Sequence, residues 1–465
     1  MKPPSHSLSL SPFRIGGVAQ LLFFATLLTI LSSAFDRAAA QQVLLASAET
    51  AGSIEPLALE ANELAPDINP PLPVAEGAAG GAAQAVEQPA EIAPVPRRFH
   101  YLLRLTIRGV YDDNINVSHD NRISDFVTSI EPGIMLGIGD ITERQENYLQ
   151  FVYAPSIFIY ADHDEANAVQ HLVHLEGQYH FSRLTLNLKQ DVQILDGANV
   201  DIATQSGPVT DQVNVDVGGR TRVDIFTTQL SAAYYLSGKV FVSSEIGLSI
   251  YDYRSLISSE SASASLFLNY VYSPKVTVGV GGGVGRSYVD DPNPDQTFQQ
   301  FNARFKYQLS DKVDLNASAG AEFREFEDNG RDVYVSPVFE LSANWKPFDG
   351  TAISLQASRR TTSSAVLFGQ DYTSTTFSGT VRQRFLRRFT LGLTGGYQNS
   401  EYFSTVSNVD TVRSDNYFYV QPSVDASVTR FWSVGAYYLR RENSSAVNSF
   451  SFYDNQVGLR SSVTF

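Results

Sequence analysis

The final strand-length segment of the chain has two faces. Val457, Leu459, Val463 and Phe465 fall on one, with Ser461 as the single small polar interruption, while Gln456, Gly458, Arg460, Ser462 and Thr464 fall on the other. Period-two alternation predicts a strand between an apolar and a polar medium. With an aromatic at its end, the segment is expected to close a transmembrane β-barrel, with lipid on one side and a wet lumen on the other.

The same pattern recurs from Phe99 onward. In the first strand Tyr101, Leu103, Leu105, Ile107 and Tyr111 oppose Arg104, Thr106, Arg108 and Asp112. In the fifth, Leu184, Leu186 and Leu188 oppose Thr185, Asn187, Lys189 and Asp191. In the tenth, Phe301, Ala303, Phe305, Tyr307 and Leu309 oppose Asn302, Arg304, Lys306 and Gln308. Alternation of this kind predicts about eighteen strands and no helix, an all-β, antiparallel up-and-down barrel.

The connections alternate in length as such a barrel requires. Tight turns are expected at Ser182-Arg183, Ser237-Gly238-Lys239, Ser273-Pro274-Lys275, Ser310-Asp311-Lys312 and Thr429-Arg430-Phe431. Longer polar loops are expected over 113–123, 195–219, 290–296 and 400–413. Short turns on the periplasmic side and longer loops outside are the bacterial arrangement, and an even strand count returns the C-terminus to the periplasm. Tyr179, Phe181, Tyr270, Tyr272, Tyr307, Trp345, Phe389, Trp432 and Phe465 gather beside the short turns, where amphipathic rings settle at the headgroup level.

The first ninety-eight residues read differently. Lys2 and Arg14 precede an apolar run, Ile15 to Leu31, and Ala38-Ala39-Ala40 precede Gln41, so residues 1–40 are expected to be a cleaved secretory signal peptide. Residues 41–98 are rich in Ala, Pro, Glu and Gly without a sustained period and are expected to form a disordered periplasmic tether. Residues 99–465 are expected to be the barrel, in the outer membrane of a Gram-negative type bacterium.

Composition narrows the function. The chain has no Cys, which removes lipoprotein anchoring, disulfides and thiolate metal sites. A net charge of −15 excludes nucleic acid as a partner. The lipid bilayer is the partner the apolar faces demand, and a barrel of this size encloses an aqueous channel. The inward residues therefore decide what passes. Alternation places Arg104, Arg108, Arg304, Lys306, Arg324, Arg360, Arg382, Arg384, Arg441 and Arg460 inward, with Glu131, Glu176, Asp191, Glu245, Asp314, Glu322, Glu340 and Asp425 as the acidic set. The bases concentrate on strands thirteen to eighteen and one, the acids on strands two to seven. Either the opposed arcs select a charged or zwitterionic solute, or the charges pair and fill the lumen as a network.

Catalytic signals are absent. His163, His171, His174 and His180 cluster, but His174 and His180 would stand about 20 Å apart on one face, too far for one metal. No G-x-S-x-G or phosphate loop occurs. The run Asp112-Asp113-Asn114-Ile115-Asn116 could offer oxygens to Ca²⁺, yet lacks the ligand spacing, so turn chemistry is expected there. No enzyme activity, cofactor or metal is expected.

The first strand running into Tyr111-Asp112-Asp113-Asn114-Ile115-Asn116, after a signal peptide and spacer, resembles the outer-membrane β-barrel porin family associated with exopolysaccharide biosynthesis. The resemblance covers residues 99–465 and implies a pore, with export of a polysaccharide alongside periplasmic export components, and no catalytic residues. The arginine arc is also similar to that of the alginate exporter, although the facing acids depart from a uniformly basic lumen. The alternatives are a general diffusion porin, for which the loop over 195–219 would fold inward as a constriction, and a plugged structural or adhesive barrel. Phe465 is expected to be the signal read by the barrel assembly machinery.

Overall fold

The computed structural model describes residues 99–141, 144, 147–197, 215–309, 312–327, 332–406, 409, 411 and 413–465. The expected signal peptide and tether lie outside the described residues. The strands are β1 (Phe99–Asp112), β2 (Asp125–Gly139), β3 (Tyr148–Tyr153), β4 (Ser156–Tyr160), β5 (Ala168–His180), β6 (Leu184–Gly197), β7 (Thr221–Tyr235), β8 (Val240–Tyr253), β9 (Ser259–Ser273) and β10 (Val276–Val289). They continue with β11 (Gln296–Leu309), β12 (Val313–Phe326), β13 (Tyr334–Trp345), β14 (Thr351–Ser363), β15 (Gln370–Phe385), β16 (Phe389–Ser404), β17 (Ser414–Ser427), β18 (Trp432–Ser445) and β19 (Phe452–Thr464).

All belong to one antiparallel sheet, and β1 pairs with β19 as well as β2, so the sheet closes on itself. At the seam Arg104 lies opposite Thr464, and Leu103 and Phe465 exchange backbone hydrogen bonds of 3.0 and 2.8 Å. β3 and β4 each pair with both β2 and β5. They are the two halves of one crossing, interrupted at Ala154-Pro155, where proline has no N–H to give the ladder. The barrel thus has eighteen crossings, the number the alternation predicts.

The two faces differ as the sequence pattern requires. Leu103, Leu105 and Ile107 of β1, Leu266 and Leu268 of β9, Val278 and Val280 of β10, and Leu391 and Leu393 of β16 all lie exposed on the outside. An apolar band of this extent is tolerated only against lipid. Among the described residues no helix is long and apolar enough to cross a membrane, and strands make the crossing. Around the short-turn end, Phe181, Tyr270, Tyr272, Trp345, Phe389, Trp432 and Phe465 are exposed. Phe431 stacks on Phe465, and the Trp432 indole N–H donates to Ser461 Oγ at 2.9 Å. That bond explains the polar interruption on the outer face of β19.

The turn from β15 to β16 was not among those the sequence marks. It holds Leu386 (φ 48°) and Arg387 (φ 61°) in the left-handed region, an arrangement that favours Asn-Gly. Replacing the pair by Asn-Gly is expected to stabilise the hairpin by about 1 kcal/mol. A rise in the urea midpoint of the lipid-reconstituted barrel would show it, and no rise would mean the strain is already relieved.

Candidate functional site

The charged positions singled out by alternation all lie on the inner faces of their strands. The structure joins many of them. Arg108 donates from Nη2 to Glu131 Oε2 at 2.8 Å, with both side chains buried, and Ser129 Oγ donates to the other carboxylate oxygen. Arg324 bonds Glu322 at 2.8 Å, and Arg460 Nε bonds Asp425 at 2.8 Å. Glu176 gathers Arg144 at 3.1 Å, Lys189 at 3.6 Å and His174 at 3.6 Å, while His174 Nδ1 meets Asp191 at 2.7 Å. His174 is therefore a member of an ion network, and His180 bonds Thr185 separately.

Several partners were not singled out. Arg441 Nε bonds Asp454 at 2.8 Å, and Gln456 joins Asp112 and Asp454. Asp454 could have been found by extending the polar face of the last strand two residues upstream of Gln456. These acids stand within the basic arc, which leaves the two arcs less opposed than composition by strand implies. Arg304, Lys306 and Glu245 instead line a cavity in the periplasmic half of the barrel, as does Glu340. Arg384 is exposed toward the short-turn end, on the same face as Arg382.

The outer mouth is built from segments far apart in the chain. Ladder pairing of β13 with β14 stops at Phe339 and Arg359. Beyond that point the ends of β15 and β16 lean inward and pack on the inner wall. Phe403 stacks on Tyr334 at 4.0 Å and meets Phe326 edge-on. Asp371 accepts from Gln296, whose amide oxygen accepts from Arg324 at 2.6 Å.

Across this mouth reaches Val215-Asp216-Val217, the end of the loop ahead of β7. Val215 packs with Tyr417, Tyr419, Tyr437, Leu439 and Phe452, on the wall opposite β7. Asp216 accepts from Ser364 Oγ (2.8 Å), the Ala365 N–H (2.6 Å) and the Tyr402 hydroxyl (2.9 Å). Arg413 donates to the backbone carbonyls of Val215 and Asp216, each at 3.0 Å, and to Asp415 at 2.7 Å. Its guanidinium lies between the rings of Phe450 and Tyr402, 3.5 and 4.5 Å from their centroids. Burial pushes the Asp216 carboxyl above its ordinary range, against the pull of Arg413 and of the three hydrogen bonds. Other loops join above, where the Ile257 N–H bonds Ala365 O and the Gly369 N–H bonds Asn293 Oδ1.

At the neighbouring rim the Asp112 to Asn116 run is occupied by turn chemistry. The Asn114 N–H donates to Asp112 Oδ1, Asn114 Nδ2 to the carbonyls of Ser118 and Tyr453, and Asn116 Oδ1 accepts from Ile123. Asp112, Asp113 and Asp454 each bring a carboxylate oxygen within 4.8 Å of the others.

The family described as Putative beta-barrel porin 2 matches residues 99–465. No curated protein matches the chain. Solved structures similar to it include the outer membrane protein opdK from Pseudomonas aeruginosa, at 10% identity over 79% of this chain and 98% of that one, TM-score 0.37. Acinetobacter baumannii OccAB4 is similar at 9% identity over 78% and 98%, TM-score 0.39. A loop-deletion form of the Vibrio cholerae outer membrane protein OmpT is similar at 11% identity over 79% and 100%, TM-score 0.31.

Proposed function

The chain belongs to the Putative beta-barrel porin 2 family, and from that premise we propose an outer-membrane channel for small hydrophilic solutes, constricted at its outer mouth by its own loops. The observation that carries this reading is the Asp216–Arg413–Asp415 contact across the mouth, set above an inner wall of charged and amide side chains. A polar wall solvates a passing solute, and a buried strap limits its size. Export of an exopolysaccharide, which the family resemblance implies, would require the strap to leave the mouth, so the smaller solute is favoured. The lumenal residues named from alternation are then the conduction path, with Arg382 and Arg384 near its periplasmic entrance. No catalytic step is assigned to any of them.

Planar-bilayer conductance of the refolded chain tests this. Steady conductance is expected, blocked by short oligosaccharides and indifferent to long ones. In the Arg382→Glu, Arg384→Glu double variant the reversal potential in a salt gradient is expected to shift toward cation selectivity. An unchanged potential would remove both residues from the path. A silent bilayer with folded protein would point to a plugged, structural barrel.

A further inference from the structure

Resting on that channel reading, we propose that the periplasmic half of the lumen holds a binding site for a sugar acid, its carboxylate taken by Arg304 and Lys306. The two cations lie on one face of β11, about 7 Å apart along the strand. They line a cavity of about 110 Å³. The buried arginines Arg108, Arg324 and Arg441 each hold a carboxylate partner. Arg304 and Lys306 have none at ion-pair distance among the described residues, nor an unassigned partner. Their charge is thus available to a ligand.

The cavity is built by glycine. Across the sheet, Asn269 lies opposite Gly279, Gly279 opposite Arg304, Arg304 opposite Ser318 and Ser318 opposite Glu340. Gly279 makes room in this row for the Asn269 side chain, whose Oδ1 a Cβ there would approach to 2.4 Å. One step along, Gly281 makes room for the Phe267 ring, which a Cβ would approach to 2.6 Å. Phe267 in turn carries the Arg304 guanidinium 3.3 Å above its centroid. A guanidinium laid flat on a ring keeps its edge N–H donors for a planar acceptor, which a carboxylate is.

The rest of the lining selects against a bare anion. Glu245 and Glu340 act on Arg304 from either side, and these two negative charges oppose a dianion such as phosphate more strongly than a singly charged carboxylate. Together with Asn269 and Asn316 these carboxylates are suited to sugar hydroxyls.

Isothermal titration calorimetry on the full chain in detergent micelles tests the site, with glucuronate, glucose and inorganic phosphate as probes. Glucuronate is expected to bind about tenfold or more tighter than glucose, and tighter than phosphate. Arg304→Gln and Lys306→Gln are each expected to weaken it about tenfold. Gly279→Ala, whose Cβ would push the Asn269 side chain out of its place in the lining without changing charge, is expected to weaken it too. Equal affinity for glucuronate and glucose, a match by phosphate, or indifference of glucuronate to the folded variants would overturn the proposal; circular dichroism identifies which variants are folded. Calorimetry does not require conduction. A barrel that binds glucuronate but stays silent keeps the site and loses the channel, whereas a conducting barrel that ignores glucuronate does the reverse.

Discussion

Replacing Arg413 by Met is expected to release the strap at the outer mouth, raising conductance and exposing the outer loops to protease. Arg413 is almost wholly buried between two rings and donates to Asp415 and to two carbonyls of the strap. Without it, Asp216 and Asp415 are left as buried carboxylates, a loss of about 3–5 kcal/mol for breaking one side of such a pair. The barrel itself should survive, because Arg413 precedes β17 and its side chain holds no ladder bond. Burial already pushes Asp216 up, and removing Arg413 removes the principal charge that holds it down. Its folded-state pKa then stands above the unfolded value, so the strap stays seated at acid pH and is lost as pH rises through the folded-state pKa. Conductance of the variant should therefore increase with pH. Wild-type conductance and protease resistance in a folded variant would show that the strap is held without Arg413, by the packing of Val215 and Val217 and the hydrogen bonds to Asp216.

The wall of this barrel was legible in the sequence, while the closure of its mouth was not. A strand between lipid and water writes its register into every second residue, which is why Arg304 and Lys306 separate from Phe301 and Phe305 without a structure. The loop over 195–219 was recognisable as a candidate constriction only through its length, as the long loop that a diffusion porin would fold inward. Its partner was not recognisable, since Asp216 meets Arg413 nearly two hundred residues later and no local pattern encodes that distance. Parity even misleads where the sheet bends. Asp371 and Phe403 alternate with inward residues, yet they bond and stack inside the mouth because β14 leaves β13 below them. The lumenal ion pairs fall between these cases. Each residue's face could be read, but its partner depends on the lateral register between strands.

Deleting Phe465 is expected to lower the amount of folded barrel in the outer membrane severalfold. The residue serves two roles that can be separated. It ends the closing strand, exchanging both backbone bonds with Leu103 and stacking on Phe431, so its loss weakens the seam between β1 and β19. It is also the exposed terminal aromatic that we propose the barrel assembly machinery reads. Seam closure involves nine further register pairs, from Arg104–Thr464 to Asp112–Gln456, so the truncated chain should still close once inserted. Refolding into detergent micelles is therefore expected to be near normal, with the deficit confined to cells. A deficit of equal size in both settings would make Phe465 a structural clasp and end its proposed role as a signal. Normal levels in both would leave closure to the ladder above it.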